Sequence, residues 1–134
     1  MWPERATISD ADGSPKFYRY YLLGRGSTYD VFLHHFVSSD AATVVHDHPW
    51  DWGVGFVLVG GYREVRRLND GSLRGRWLGP GRLNFIRGSD FHRVELREGR
   101  PAWTLFFHGP VMKTWGFLDL VGGAFRTWTR VNAN

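Results

Sequence analysis

Ten short runs rich in β-branched and aromatic residues limit what this chain can become. They are residues 16–23, 30–37, 43–48, 54–59, 62–68, 72–78, 82–86, 91–96, 102–108 and 125–129. Such residues favour the pleated, half-buried surface of a strand. The breaks between the runs carry turn chemistry. Asn69-Asp70-Gly71 suits a tight hairpin, and Gly79-Pro80-Gly81, Arg87-Gly88-Ser89-Asp90, Glu98-Gly99-Arg100-Pro101 and Gly122-Gly123 supply positive or fixed φ. No helical period of ten or more residues stands out. Many short strands at close spacing predict an all-β sandwich or small barrel, an architecture that holds small ligands inside. A length of 134 residues predicts one domain over 1–134.

Within that pattern sits His46-Asp47-His48, and much later His92-Arg93-Val94-Glu95. Side chains on a strand alternate faces, so His46 and His48 share one face and Asp47 takes the other. A third imidazole from a later strand, His92, would complete three ligands on one side of a metal ion. The opposite positions would stay open to water, oxygen or substrate. The imidazoles would bind through one nitrogen each, and the other N–H needs an acceptor.

The remaining composition narrows the chemistry. There is no Cys, so there is no disulfide, thiolate ligand or Cys nucleophile, which fits a reducing cytoplasm. The net charge of +4 comes from scattered Arg residues with no dense run, which favours a small anionic partner over nucleic acid. No apolar stretch approaches the ~18 residues of a membrane span, and the first residues lack a signal-peptide pattern.

Thr43 to His48, Gly53 and Val57 to Tyr62 resemble the first cupin motif. Gly81 to Phe85 and Gly88 to Glu95 resemble the second. The resemblance spans roughly residues 43–96, with a cupin-like strand from Trp103 to His108 after it. It implies a single cupin barrel, the double-stranded β-helix or jelly roll. Many cupins carry a Glu ligand four or five positions after the second His; Trp52 and Gly53 stand there in this chain, which leaves three His. The His-Asp-His and His-Arg-Val-Glu strings, with Gly53, are similar to those of the thiol dioxygenases (the cysteine dioxygenase group). Where those enzymes carry a Ser-x-His-x-Tyr relay, this chain has Thr104, Phe106 and His108. Residues 46–52 and Trp115-Gly116-Phe117 look more like a set of small bacterial and phage cupins.

The expected function is a mononuclear metal cupin, with Fe(II) as the first candidate, that oxidises a small organic substrate with O2. That substrate is expected to bear a thiol or a carboxylate. Zn, Mn, Ni or Cu as the ion, a Lewis-acid isomerase or hydrolase, and a binding or sensing cupin without catalysis are the alternatives. His46, His48 and His92 are the expected metal ligands. By analogy with the relay tyrosine, His108 is the expected proton-handling group, neutral at pH 7 beside a cation. Tyr62 is a second catalytic candidate, since it shares a strand face with Glu64 near the barrel mouth. Arg25 and Arg87 are candidates to grip a substrate carboxylate, and Trp50, Trp52, Asp51 and Phe106 to line a pocket. Asp51 suits a turn as well as a ligand site. His34 and His35 are read as structural or exposed. Association into a homodimer through strand edges is expected from the cupin resemblance.

Overall fold

The computed structural model describes residues 4–9, 13–24 and 29–128. Among them are twelve strands and no helix, hence no helix long and apolar enough to cross a membrane. The strands are β1 (Arg5–Ser9), β2 (Pro15–Leu23), β3 (Asp30–Phe36), β4 (Val44–His46), β5 (Trp52–Val59) and β6 (Tyr62–Arg67). They continue with β7 (Leu73–Leu78), β8 (Leu83–Arg87), β9 (Phe91–Glu95), β10 (Ala102–His108), β11 (Gly116–Asp119) and β12 (Phe125–Thr127).

Two antiparallel sheets result, ordered β1-β2-β3-β10-β5-β8 and β12-β11-β4-β9-β6-β7. From β3 to β6 and from β7 to β11 successive strands alternate between the sheets, a jelly-roll arrangement, while β1–β3, β6–β7 and β11–β12 are neighbours within one sheet. β1 and β11 fall outside the ten sequence-predicted runs. Each is held by backbone pairing to a neighbour, Ala6 opposite Arg19 and Phe117 opposite His46, and such pairing overrides weak local propensity.

The register fixes which side chains face inward. On β10, Ala102, Thr104, Phe106 and His108 are buried while Phe107 is exposed. On β8, Asn84 and Ile86 point in, and Leu83, Phe85 and Arg87 point out. One core cluster joins Val57, Tyr62, Leu78, Val94 and Ala102 at one end. A second joins Phe32, Trp50, Ile86 and Phe106 beside the cavity described below.

Gly53 on β5 lies beneath that second cluster. A Cβ there would come within 2.5 Å of Phe106 Cζ and 2.8 Å of Trp50 Cη2. Both rings are held on two sides, so neither can yield cheaply. Gly53→Ala is expected to lower stability by about 1–3 kcal/mol, as overpacking does. A shift of the urea unfolding midpoint measures this, and an unchanged midpoint would mean the rings are free to move.

Candidate metal centre

His46 and His92 are direct partners across the β4/β9 pairing, so strand geometry alone puts both rings on one face. Their centroids are 4.7 Å apart. His48 follows just past the end of β4, where its backbone N–H donates to Gly88 O at 3.1 Å, and it returns its ring to the same place. The ligating atoms of the three imidazoles lie within 4.8 Å of one another. Asp47 faces away, as alternation predicts. It accepts from the Gly116 backbone N–H at 2.8 Å and pairs with Lys113.

The donor set fits a divalent ion. The Nε2 atoms of His48 and His92 are 3.0 Å apart. Two imidazoles at right angles on one ion, with bonds of about 2.1 Å, stand about 3 Å apart. His92 Nδ1 lies 2.8 Å from Glu64 Oε2. That bond fixes the Nδ1–H tautomer and leaves a lone pair on Nε2. His46 Nδ1 lies 3.7 Å from Asp40 Oδ2. Burial, and then the charge on His92, hold His46 and His48 well below the usual histidine range, so both are neutral donors at pH 7.

Glu64 is the centre of the support beneath His92. Besides His92, it accepts from Asn84 Nδ2 at 2.7 Å and Arg66 at 3.1 Å, and pairs with Arg76 at 3.4 Å. Burial alone would raise its carboxyl pKa. The His92 bond and charge, the Asn84 amide and Arg66 outweigh burial and hold Glu64 well below the usual carboxylate range. It is therefore a committed anion whose oxygens are taken. Trp52 and Gly53 add no ligand, and among the described residues no carboxylate joins the three His. The protein supplies three donors and leaves the rest of the coordination sphere to other ligands.

The centre opens into a cavity of about 650 Å³ between the sheets, a size that suits a small organic ligand. Trp50 stacks on His48 at 4.4 Å and lines this cavity with Phe106, Tyr62 and His108, all four of them candidates named from the sequence. Burial pushes the Tyr62 phenol up to about 12. It is thus a neutral O–H at pH 7 rather than a base, and its oxygen accepts from Asn84 at 3.4 Å. His108 Nε2 lies 3.1 Å from Asp30 Oδ2, and Nδ1 lies 2.6 Å from Gly109 O. Both ring nitrogens face acceptors. His108 therefore reaches the cavity wall as one half of a buried pair with Asp30, a partner the sequence did not reveal.

Three other candidates stand away from the cavity. Arg87 is exposed, because the alternation on β8 turns Asn84 and Ile86 inward. Asp51 is exposed at a bend, held by its backbone to Pro110 and Gly88, so it is neither ligand nor lining. Trp52 is on the outer face with Phe107 and Tyr29, since Gly53 takes the inward position. Arg25 lies outside the described residues.

Sequence reasoning missed Arg19, Asp30 and His34, all of which line the cavity. His34 is buried, not peripheral, and stacks on Phe106 at 5.3 Å. The available signal was strand parity: positions 17, 19 and 21, and 30, 32, 34 and 36, share faces.

Burial holds His34, like His46 and His48, well below the ordinary value, with the Arg19 charge adding to the effect. These rings stay neutral in the fold, whereas the unfolded chain protonates them below about pH 6.5. The unfolded state then binds more protons, so stability falls as pH drops through that value. The slope approaches roughly 1.4 kcal/mol per pH unit for each proton taken up on unfolding. Urea midpoints of EDTA-treated protein are expected to fall clearly between pH 7.5 and 5.5. Equal midpoints would show that these rings are not buried neutral.

No protein-family model and no curated protein matches the chain. Solved structures do match. One is Fe(II)-HppE with an alternative substrate, at a TM-score of 0.64 and 14% identity over 78% of this chain and 56% of that one. The hydroxypropylphosphonic acid epoxidase from S. wedmorenis matches at 0.61 and 12%, over 81% and 57%. Bacillus subtilis oxalate decarboxylase, studied for its Mn(II) centres, matches at 0.58 and 16%, over 76% and 28%. The chain thus spans a little over half the length of the first two and about a quarter of the third. These likenesses give no support to the nearer resemblance to thiol dioxygenases. They show the fold expected from the two motifs, and the chain is built as a cupin barrel.

Proposed function

We propose that the chain is a mononuclear metal-dependent cupin that oxidises a small organic substrate with O2, with Fe(II) as the ion. The observation that carries the reading is the convergence of three imidazoles, with no carboxylate among them, on a largely aromatic cavity. His46, His48 and His92 would hold the ion. When bound, it would supply a site where substrate and O2 react side by side rather than by slow encounter. The protein does the rest. Glu64 keeps His92 in its ligating tautomer, and Trp50 and Phe106 exclude water from the site. Tyr62 is a neutral donor to a substrate oxygen, and the Asp30–His108 pair holds a proton on the cavity wall.

Purification under nitrogen, metal analysis, and O2 uptake with thiols, amino acids and aromatic acids test this reading. Iron content with substrate-dependent O2 uptake is expected. Retained zinc or manganese without O2 uptake would favour a Lewis-acid enzyme, and absence of any metal would favour a binding module. His108→Gln is expected to lower turnover by roughly 10²-fold or more, the range of a lost acid–base group, with metal content unchanged. Full activity with an unaltered pH profile would remove His108 from the reaction.

A further inference from the structure

His46 and His92 project from one sheet, while the inner face of the other carries a cation, Arg19, with no carboxylate at ion-pair distance among the described residues. Arg19 on β2 and His34 on β3 are direct cross-strand partners, and both line the cavity. Arg19 Nε donates to His34 Nε2 at 3.2 Å. The guanidinium lies 4.3 Å from the centroid of the Phe32 ring and 5.8 Å from that of Phe17. Among the described residues, no carboxylate comes within ion-pair distance of it. The Tyr21 side chain hydrogen-bonds the guanidinium, and the Asp30 carboxylate attracts it from beyond ion-pair distance, its Oδ2 facing His108. Because His34 accepts at Nε2, a neutral ring carries its proton on Nδ1. That N–H has no hydrogen-bond partner among the described residues.

A cation drawn into an aromatic enclosure is normally paired, because its desolvation is otherwise uncompensated. Here the chain supplies the donors, and the nearest carboxylate, Asp30, is engaged by His108 rather than paired directly with Arg19. The guanidinium fork and the adjacent imidazole N–H match the two oxygens of a carboxylate. Flat rings lead from this position toward the metal centre. His34 stacks on Phe106, Phe106 lies 5.2 Å from Trp50, and Trp50 stacks on His48 at 4.4 Å. A molecule of one or two rings can lie along this wall, and the cavity volume accommodates it.

We infer that Arg19 and His34 seat the carboxylate of a planar, mostly apolar organic acid, which lies along the Phe106–Trp50 wall with its other end at the metal centre. The seat itself is independent of the ion; only the placing of the reacting end rests on the proposed function. This substrate class differs from a small thiol amino acid, which would leave most of the aromatic wall uncovered.

Binding of 2-naphthoate and of its neutral analogue 2-naphthamide, followed by calorimetry or Trp fluorescence, tests the inference in metal-loaded and EDTA-treated protein. The acid is expected to bind at least tenfold more tightly than the amide in both preparations. Arg19→Met is expected to abolish that difference, chiefly by weakening binding of the acid. Its thermal midpoint should be no lower than that of the wild type, since methionine strands no partner charge. Arg19→Lys should keep part of the difference, which decides the matter if the methionine variant folds poorly. Equal binding of acid and amide, no binding of the acid, or a difference that survives in Arg19→Met would each overturn the seat. A difference present only with metal bound would assign the carboxylate to the ion instead. An Arg19-dependent difference in a protein that binds no metal would leave the seat standing and end the metal reading alone.

Discussion

Replacing His92 with alanine is expected to reduce bound divalent metal from one ion per chain to background, while the far-UV spectrum of a β protein remains. His92 is the hinge of the centre. It pairs directly with His46 across β4 and β9, and its Nε2 is 3.0 Å from that of His48. Loss of an outer hydrogen-bond partner alone costs about 10–100-fold in metal affinity, and loss of a ligand should exceed that. The fold should persist because Glu64 keeps Asn84, Arg66 and Arg76 as partners. Metal analysis after dialysis reads the result. Undiminished metal in this variant would place the ion elsewhere.

The second large effect belongs to a residue that touches no metal. Glu64→Gln keeps the size of the side chain and removes the negative charge on which His92, Arg66 and Arg76 converge. Glu64 is 1% exposed, so water cannot replace what is lost. Breaking a buried charge network from one side costs about 3–5 kcal/mol. Metal affinity is expected to fall about 10–100-fold as His92 loses its tautomeric lock. Chemical denaturation and a metal titration measure the two effects. A stable variant with normal affinity would mean that the network is ornamental to both fold and site.

The three-histidine cluster was legible in the sequence because spacing encodes it. Positions 46 and 48 share a face by alternation, and the second motif brings His92 to them. Glu64 was legible only as a residue on an inward-capable face; its bond to His92 needs the β6/β9 register, in which His92 lies opposite Arg66. Arg19 and His34 were hidden for a related reason. The runs KFYRYYLL and DVFLHHF have aromatic or apolar residues on both faces, so pattern alone does not say which face is buried. The same ambiguity put Arg87 and Trp52 in the pocket: Phe85 and Leu83 on β8 are as apolar as a core face yet are exposed. Asp51 failed differently, because the bend that carries it is set by backbone bonds to Pro110 and Gly88, contacts distant in the chain.

The central claim is that His46, His48 and His92 hold one divalent ion with positions left open. Anaerobic titration of metal-stripped protein with Fe(II), followed by X-ray absorption, tests it most directly. The expected result is saturation at one ion per chain, three imidazole nitrogens at about 2.0–2.2 Å, additional light-atom ligands that exchange with solvent or azide, and no binding when all three histidines are replaced by alanine. Fe(II) binding that persists in the triple variant, or a shell already filled by protein side chains, would contradict it.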